Sequence, residues 1–65
     1  MKRYCAMQKT DKKWTVGTIG PCHVLTPVGD VKNFDDFDEA NTVAKDIAGG
    51  KYPWLAKPGE FVNMR

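Results

Sequence analysis

The chain has 65 residues, 42% hydrophobic and 28% charged, with ten basic and eight acidic side chains for a formal net charge of +2. A length like this makes one domain that buries only about 60% of its unfolded surface. It leaves little room for the deep cleft that elaborate catalysis uses, and a charge this small does not of itself call for a nucleic-acid partner.

Residues 3–9 and 13–19 are expected to pair as two strands around the turn Thr10-Asp11-Lys12-Lys13. Trp14, Thr15, Val16, Thr18 and Ile19 supply the β-branched and aromatic character of a strand. Two registers fit the alternation. In one, Tyr4, Ala6, Trp14 and Val16 share a face with Cys5, Met7 and Thr15 opposite; in the other, Cys5 and Met7 join the side carrying Trp14. Gly20-Pro21 ends the second strand, because proline has no ladder donor. A third strand is expected over 22–26, then a turn at Pro27-Val28-Gly29-Asp30 and an extended lead-in over 31–34.

The clearest element is a helix over 36–48. Asp36 suits the N-cap, and Glu39 stands three residues later as in a capping box. Phe37, Ala40, Val43, Ala44 and Ile47 form one apolar stripe. Gly49-Gly50 offers a positive-φ position just past the last turn. The segment 51–59 reads as irregular, with Pro53 and Pro58 in it, and 60–64 as a short strand with Val62 and Met64 on one face. The predicted fold class is α+β: an antiparallel sheet of three to four strands packed against one helix, in the order β-β-β-α, with a short final strand, all in a single domain.

Several constellations are weighed and set aside. Cys22 and His23 are adjacent, so on a strand they point to opposite faces, and Cys5 would need a fortunate register to reach His23. There is no Cys-x-x-Cys and no second histidine, the paired spacing that structural zinc uses. The acids Asp35, Asp36, Asp38 and Glu39 lack the alternating ligands and central glycine of a calcium loop, whereas they complement a helix dipole well. Gly17-Thr18-Ile19-Gly20 and Gly49-Gly50-Lys51 lack the spacing of a phosphate-binding loop. No catalytic residue, cofactor or metal ligand is therefore assigned, and the protein is expected not to be an enzyme.

No apolar run approaches the roughly 18 residues of a membrane span. The basic start over residues 1–9 is not followed by the apolar stretch of about seven residues that a signal peptide needs. A cytoplasmic location without a membrane partner is expected, and with it two reduced thiols at Cys5 and Cys22.

Charge is segregated along the chain. Lys2, Arg3, Lys9, Lys12 and Lys13 make the start basic, and Asp30, Asp35, Asp36, Asp38, Glu39 and Asp46 make the middle acidic. Seven aromatic residues are more than a core this small requires. The proline-stiffened Tyr52-Pro53-Trp54-Leu55 stands out, since Trp and Tyr dominate interface hot spots.

Phe34-Asp35-x-x-Asp38-Glu39-Ala40, following strands that contain a Lys-Trp, resembles the strand-to-helix junction of plant AP2-type and phage integrase arm-binding domains. The resemblance covers seven residues of 65. It implies a three-stranded sheet on a helix that binds DNA through the sheet. The chain departs from that pattern in having only Arg3 on its predicted strands, where such domains are rich in arginine.

The leading expectation is a small non-catalytic protein that binds another, unidentified protein. It would act as an inhibitor, adaptor or accessory factor of the sort phage and mobile-element genomes encode. Tyr52, Trp54 and Leu55 would form its contact patch, with Lys12 and Lys13 as a charged rim. The alternative is a nucleic-acid-binding module using Arg3, Lys9, Lys12, Lys13 and Trp14. A homodimer is compatible with either.

Overall fold

In the computed structural model, which describes residues 2–9, 12–29 and 31–64, one helix lies across one face of a four-stranded sheet. The strands are β1 (Arg3–Gln8), β2 (Trp14–Ile19), β3 (Leu25–Pro27) and β4 (Glu60–Phe61), in the spatial order β3-β2-β1-β4, and the helix is α1 (Phe37–Ala48). The fold is thus α+β, as expected. The sheet is mixed rather than antiparallel, because β4 runs parallel to β1.

The β1–β2 hairpin has the first of the two registers. Tyr4 pairs with Thr18, Ala6 with Val16 and Gln8 with Trp14, so Tyr4, Ala6, Trp14 and Val16 share one face. That face meets the helix. Tyr4, Val16, Ala44, Ile47 and Ala48 form the buried cluster, with Val28, Val31, Val43, Tyr52, Ala56 and Phe61 packed around it. The small side chains Ala40, Ala44 and Ala48 let α1 sit close to the sheet. Cys5, Thr15 and Gly17 are buried on the opposite face, where Met7 lies over Gly17. The expected turn between β1 and β2 is closed by Lys9 N–H donating to the Lys13 carbonyl at 2.7 Å, with Lys12 at φ 67°; Thr10 and Asp11 lie outside the described residues.

Two further expectations are corrected. Residues 22–26 are not all strand. Pro21–His23 form a 3-10 turn in which Cys22 and His23 both take positive φ, 61° and 60°, and β3 begins only at Leu25. The hydrogen bond from Gly20 N–H to the Val24 carbonyl, 2.8 Å, closes this turn; an extended Cys22 would leave the hairpin no room to reverse. β3 is an edge strand, which is why it tolerates Pro27. The expected strand over 60–64 is only two residues long, but the Val62 N–H still reaches the Tyr4 carbonyl at 2.8 Å.

The helix ends follow the sequence closely. Asp36 is the N-cap, its carboxylate accepting from the Glu39 N–H at 2.8 Å. At the other end Gly50 has φ 89°, its N–H donates to the Ile47 carbonyl, and the Lys51 N–H donates to the Asp46 carbonyl. This is the Schellman arrangement that glycine makes inexpensive. The chain then wraps the end of the core. The Tyr4 hydroxyl donates to the Lys57 carbonyl at 2.6 Å, and Gly59 passes Lys2, just before β1, so closely that a Cβ there would run into the Lys2 carbonyl.

Candidate functional site

Val43 belongs to the apolar stripe by spacing, yet it does not join the buried row. At about 100° per residue, it stands well to one side of Ala40, Ala44 and Ile47, and it is only half-buried. The gap beside it is flanked by the lead-in to the helix and by the segment after it. Phe34 is held there by a bridge to β2: the Trp14 N–H donates to the Phe34 carbonyl at 2.8 Å and the Phe34 N–H to the Trp14 carbonyl at 2.7 Å. From the other side, Tyr52 begins a turn in which the Leu55 N–H donates back to the Tyr52 carbonyl at 2.9 Å.

The result is two adjoining depressions that share Phe34 and Val43. One, about 390 Å³, is lined also by Val31, Lys32, Tyr52, Trp54 and Leu55. The other, about 420 Å³, runs along the helix past Asp38, Glu39 and Thr42. Together they make a shallow groove with an apolar floor. Trp54 stands at its edge with 73% of its surface exposed, the largest apolar exposure among the described residues. Its ring meets Tyr52 edge-on, centroids 5.6 Å apart, and Lys51 sits 5.7 Å from the Tyr52 ring centroid while pairing with Asp46 at 3.6 Å. Such an aromatic pair holds Trp54 in place without burying it.

Tyr52, Trp54 and Leu55 all line the first depression. Lys12 and Lys13 are not among the groove's lining residues; they belong to the β1–β2 turn. That turn lies against the acidic approach to the helix, so charges separated in sequence are neighbours in space. Lys13 pairs with Asp35, and Lys9 donates to the Asn33 side chain at 3.2 Å. The Lys13 ammonium, through its hydrogen bond and then its charge, holds the Asp35 carboxyl below its ordinary range. Trp14 is turned to the helix side, where its ring meets Phe37 edge-on at 5.2 Å. The opposite face of the hairpin carries Arg3 amid Cys5, Met7, Thr15, Gly17 and Ile19.

Phe34, Val43 and Lys32 also line the groove, outside the sequence-predicted patch. The off-centre position of Val43 on its stripe is the one signal that points to it in sequence; Phe34 depends on a long-range bridge. Elsewhere, Cys5 is buried in β1 and Cys22 exposed in the turn, both as free thiols, and burial pushes the Cys5 thiol pKa up. Among the described residues no group of three or more His, Cys, Asp or Glu side chains is gathered as for a metal ion. No described helix is long and apolar enough to cross a membrane. Fold and groove together define a small α+β domain with an aromatic-edged surface channel. No protein-family model, no curated protein and no solved structure matches the chain.

Proposed function

We propose that this is a small non-catalytic binding protein, an inhibitor, adaptor or accessory factor, whose partner is another protein held in the groove beside α1. The observation that carries this reading is Trp54: a large ring in edge-on contact with Tyr52, left about three-quarters accessible at the rim of an apolar channel. Covering a ring of that size removes about 150–250 Å² from water, which is why truncating such anchors typically costs 2 kcal/mol or more of binding. The free thiols at Cys5 and Cys22 suit a reducing compartment, and we place its work in the cytosol.

The test is affinity capture from lysate of the native host by immobilised wild-type protein and by Trp54→Ala. A partner retained by the first and lost by the second, with circular dichroism unchanged, supports the proposal. Equal capture by both removes Trp54 from the site. Nucleic-acid binding through Arg3, Lys9, Lys12, Lys13 and Trp14 draws less support, because Trp14 packs on Phe37 and Lys13 holds Asp35. Retardation of DNA or RNA in a low-salt shift assay, fading steeply as salt is raised, would restore it. Light scattering tests the homodimer.

A further inference from the structure

The groove has a charge order as well as an apolar floor. At its helix end stand the carboxylates of Asp38 and Glu39, both on exposed residues of the first helical turn. At its other end Lys32, also exposed, lines the depression beside Val31 and Trp54. Phe34 and Val43 lie between and belong to both depressions. Negative charge, apolar floor and positive charge therefore follow one another along a single channel.

We infer that this channel takes a polypeptide segment in which an apolar or aromatic residue is flanked by a basic residue on one side and an acidic residue on the other. The basic residue lies toward Glu39, the apolar one over Phe34 and Val43, and the acidic one toward Lys32. The inference rests on the protein-binding role proposed above and adds the composition and direction of the partner. Complementary charges at the rim of an apolar site contribute mainly to orientation and selectivity. A segment entering in reverse would set like charges against each other at both ends, which is how an otherwise symmetric channel enforces one direction. A nucleic-acid strand fits poorly, since its phosphates would face Asp38 and Glu39 at one end. The depressions are at the lower end of the size range of ligand pockets, room for a few side chains rather than a folded surface.

Peptides selected from a random display library on the whole protein provide the probe. The best synthetic peptide is then measured by fluorescence anisotropy against wild type, Trp54→Ala, Glu39→Lys and Lys32→Glu, each checked by circular dichroism. Trp54→Ala should weaken binding by about thirtyfold or more. Glu39→Lys and Lys32→Glu should each weaken it by roughly two- to fivefold, and the difference should shrink as salt is raised. A peptide with its basic residue changed to Glu should bind Glu39→Lys better than it binds wild type, a rescue that a merely structural role for Glu39 would not produce. If no selected peptide depends on Trp54, the binding role of the groove falls and this inference with it. If Trp54-dependent peptides lack the flanking charges, or bind the two charge variants as they bind wild type, the charge order is wrong while the groove stands. Self-association that Trp54→Ala abolishes, seen by sedimentation, would make the occupant a second copy and overturn the inference.

Discussion

Ile47 and Trp54 are both large apolar side chains, seven positions apart, and they have opposite fates. Ile47 has no accessible surface and closes the core between α1 and the β1–β2 hairpin, whereas Trp54 keeps 73% of its surface. The helix around Ile47 satisfies each local rule of its own stability, with a carboxylate cap, an apolar row and a glycine stop. The segment around Trp54 satisfies none that would require a tryptophan: Tyr52, not Trp54, packs against the core. Where folding already explains a residue there is little left over to assign to function. Where it does not, as at Trp54, the residue is the place to look.

The widest separation between the two regions should appear in stability. Ile47→Ala is expected to cost about 2–5 kcal/mol in urea unfolding, while Trp54→Ala should stay within about 1 kcal/mol of wild type, the scale of one edge-on aromatic contact. Equal losses would erase the distinction. Gly59→Ala should cost about 1–3 kcal/mol, because its new methyl meets the backbone of Lys2 rather than a side chain that can move. Gly29→Ala, with nothing within 4 Å of its Cβ position, is the control and should change little.

Tyr4→Phe sharpens the account of how the segment after the helix is tied down. It removes the hydrogen bond to Lys57 and should cost about 0.5–1.5 kcal/mol at neutral pH. Burial also raises the Tyr4 pKa above its ordinary 10.0. Below pH 10 that contributes no change with pH. Above it the unfolded chain releases the proton first and so binds fewer protons than the folded one. Stability then falls with rising pH by up to about 1.4 kcal/mol per unit, until the folded value is reached. Tyr4→Phe should flatten that alkaline decline, which unfolding curves at pH 9, 10 and 11 would reveal. The smallest expected effect is at Cys22. Replacing it with Gly relieves a positive-φ strain of about 1 kcal/mol but adds freedom to the unfolded chain, so a net gain under about 1 kcal/mol is expected by thermal melting.

What could be read in the sequence is what neighbours in the chain decide. Asp36, Glu39 and Gly50 mark the helix ends because capping acts over three or four residues, and the row Ala40, Ala44, Ile47 follows from helical period alone. The hairpin register was not decidable, since Tyr4 and Cys5 are both suited to burial and both are in fact buried. Cys22 and His23 read as strand because neither is a residue that announces positive φ. Of the groove, Tyr52, Trp54 and Leu55 could be found from their composition and Val43 from its offset on the helix, but Phe34 faces it only because Trp14 captures it across some twenty residues. The parallel placement of β4 likewise depends on contacts no local pattern records.

That last strand has a consequence in time. Glu60 and Val62 donate to the carbonyls of Lys2 and Tyr4, and the hydroxyl bond from Tyr4 to Lys57 spans 53 positions. Loops of that length close late, after the local hairpin and helix have formed. During synthesis the hairpin and helix can therefore assemble while one flank of β1 is still unpaired, and that flank is covered only when residues near 62 become available. Until then β1 presents an open edge to any extended chain nearby. In the finished protein the same seam is expected to open first. Amide hydrogens of Glu60 and Val62 should exchange well before those of Cys5 and Thr15, which face the β1–β2 ladder.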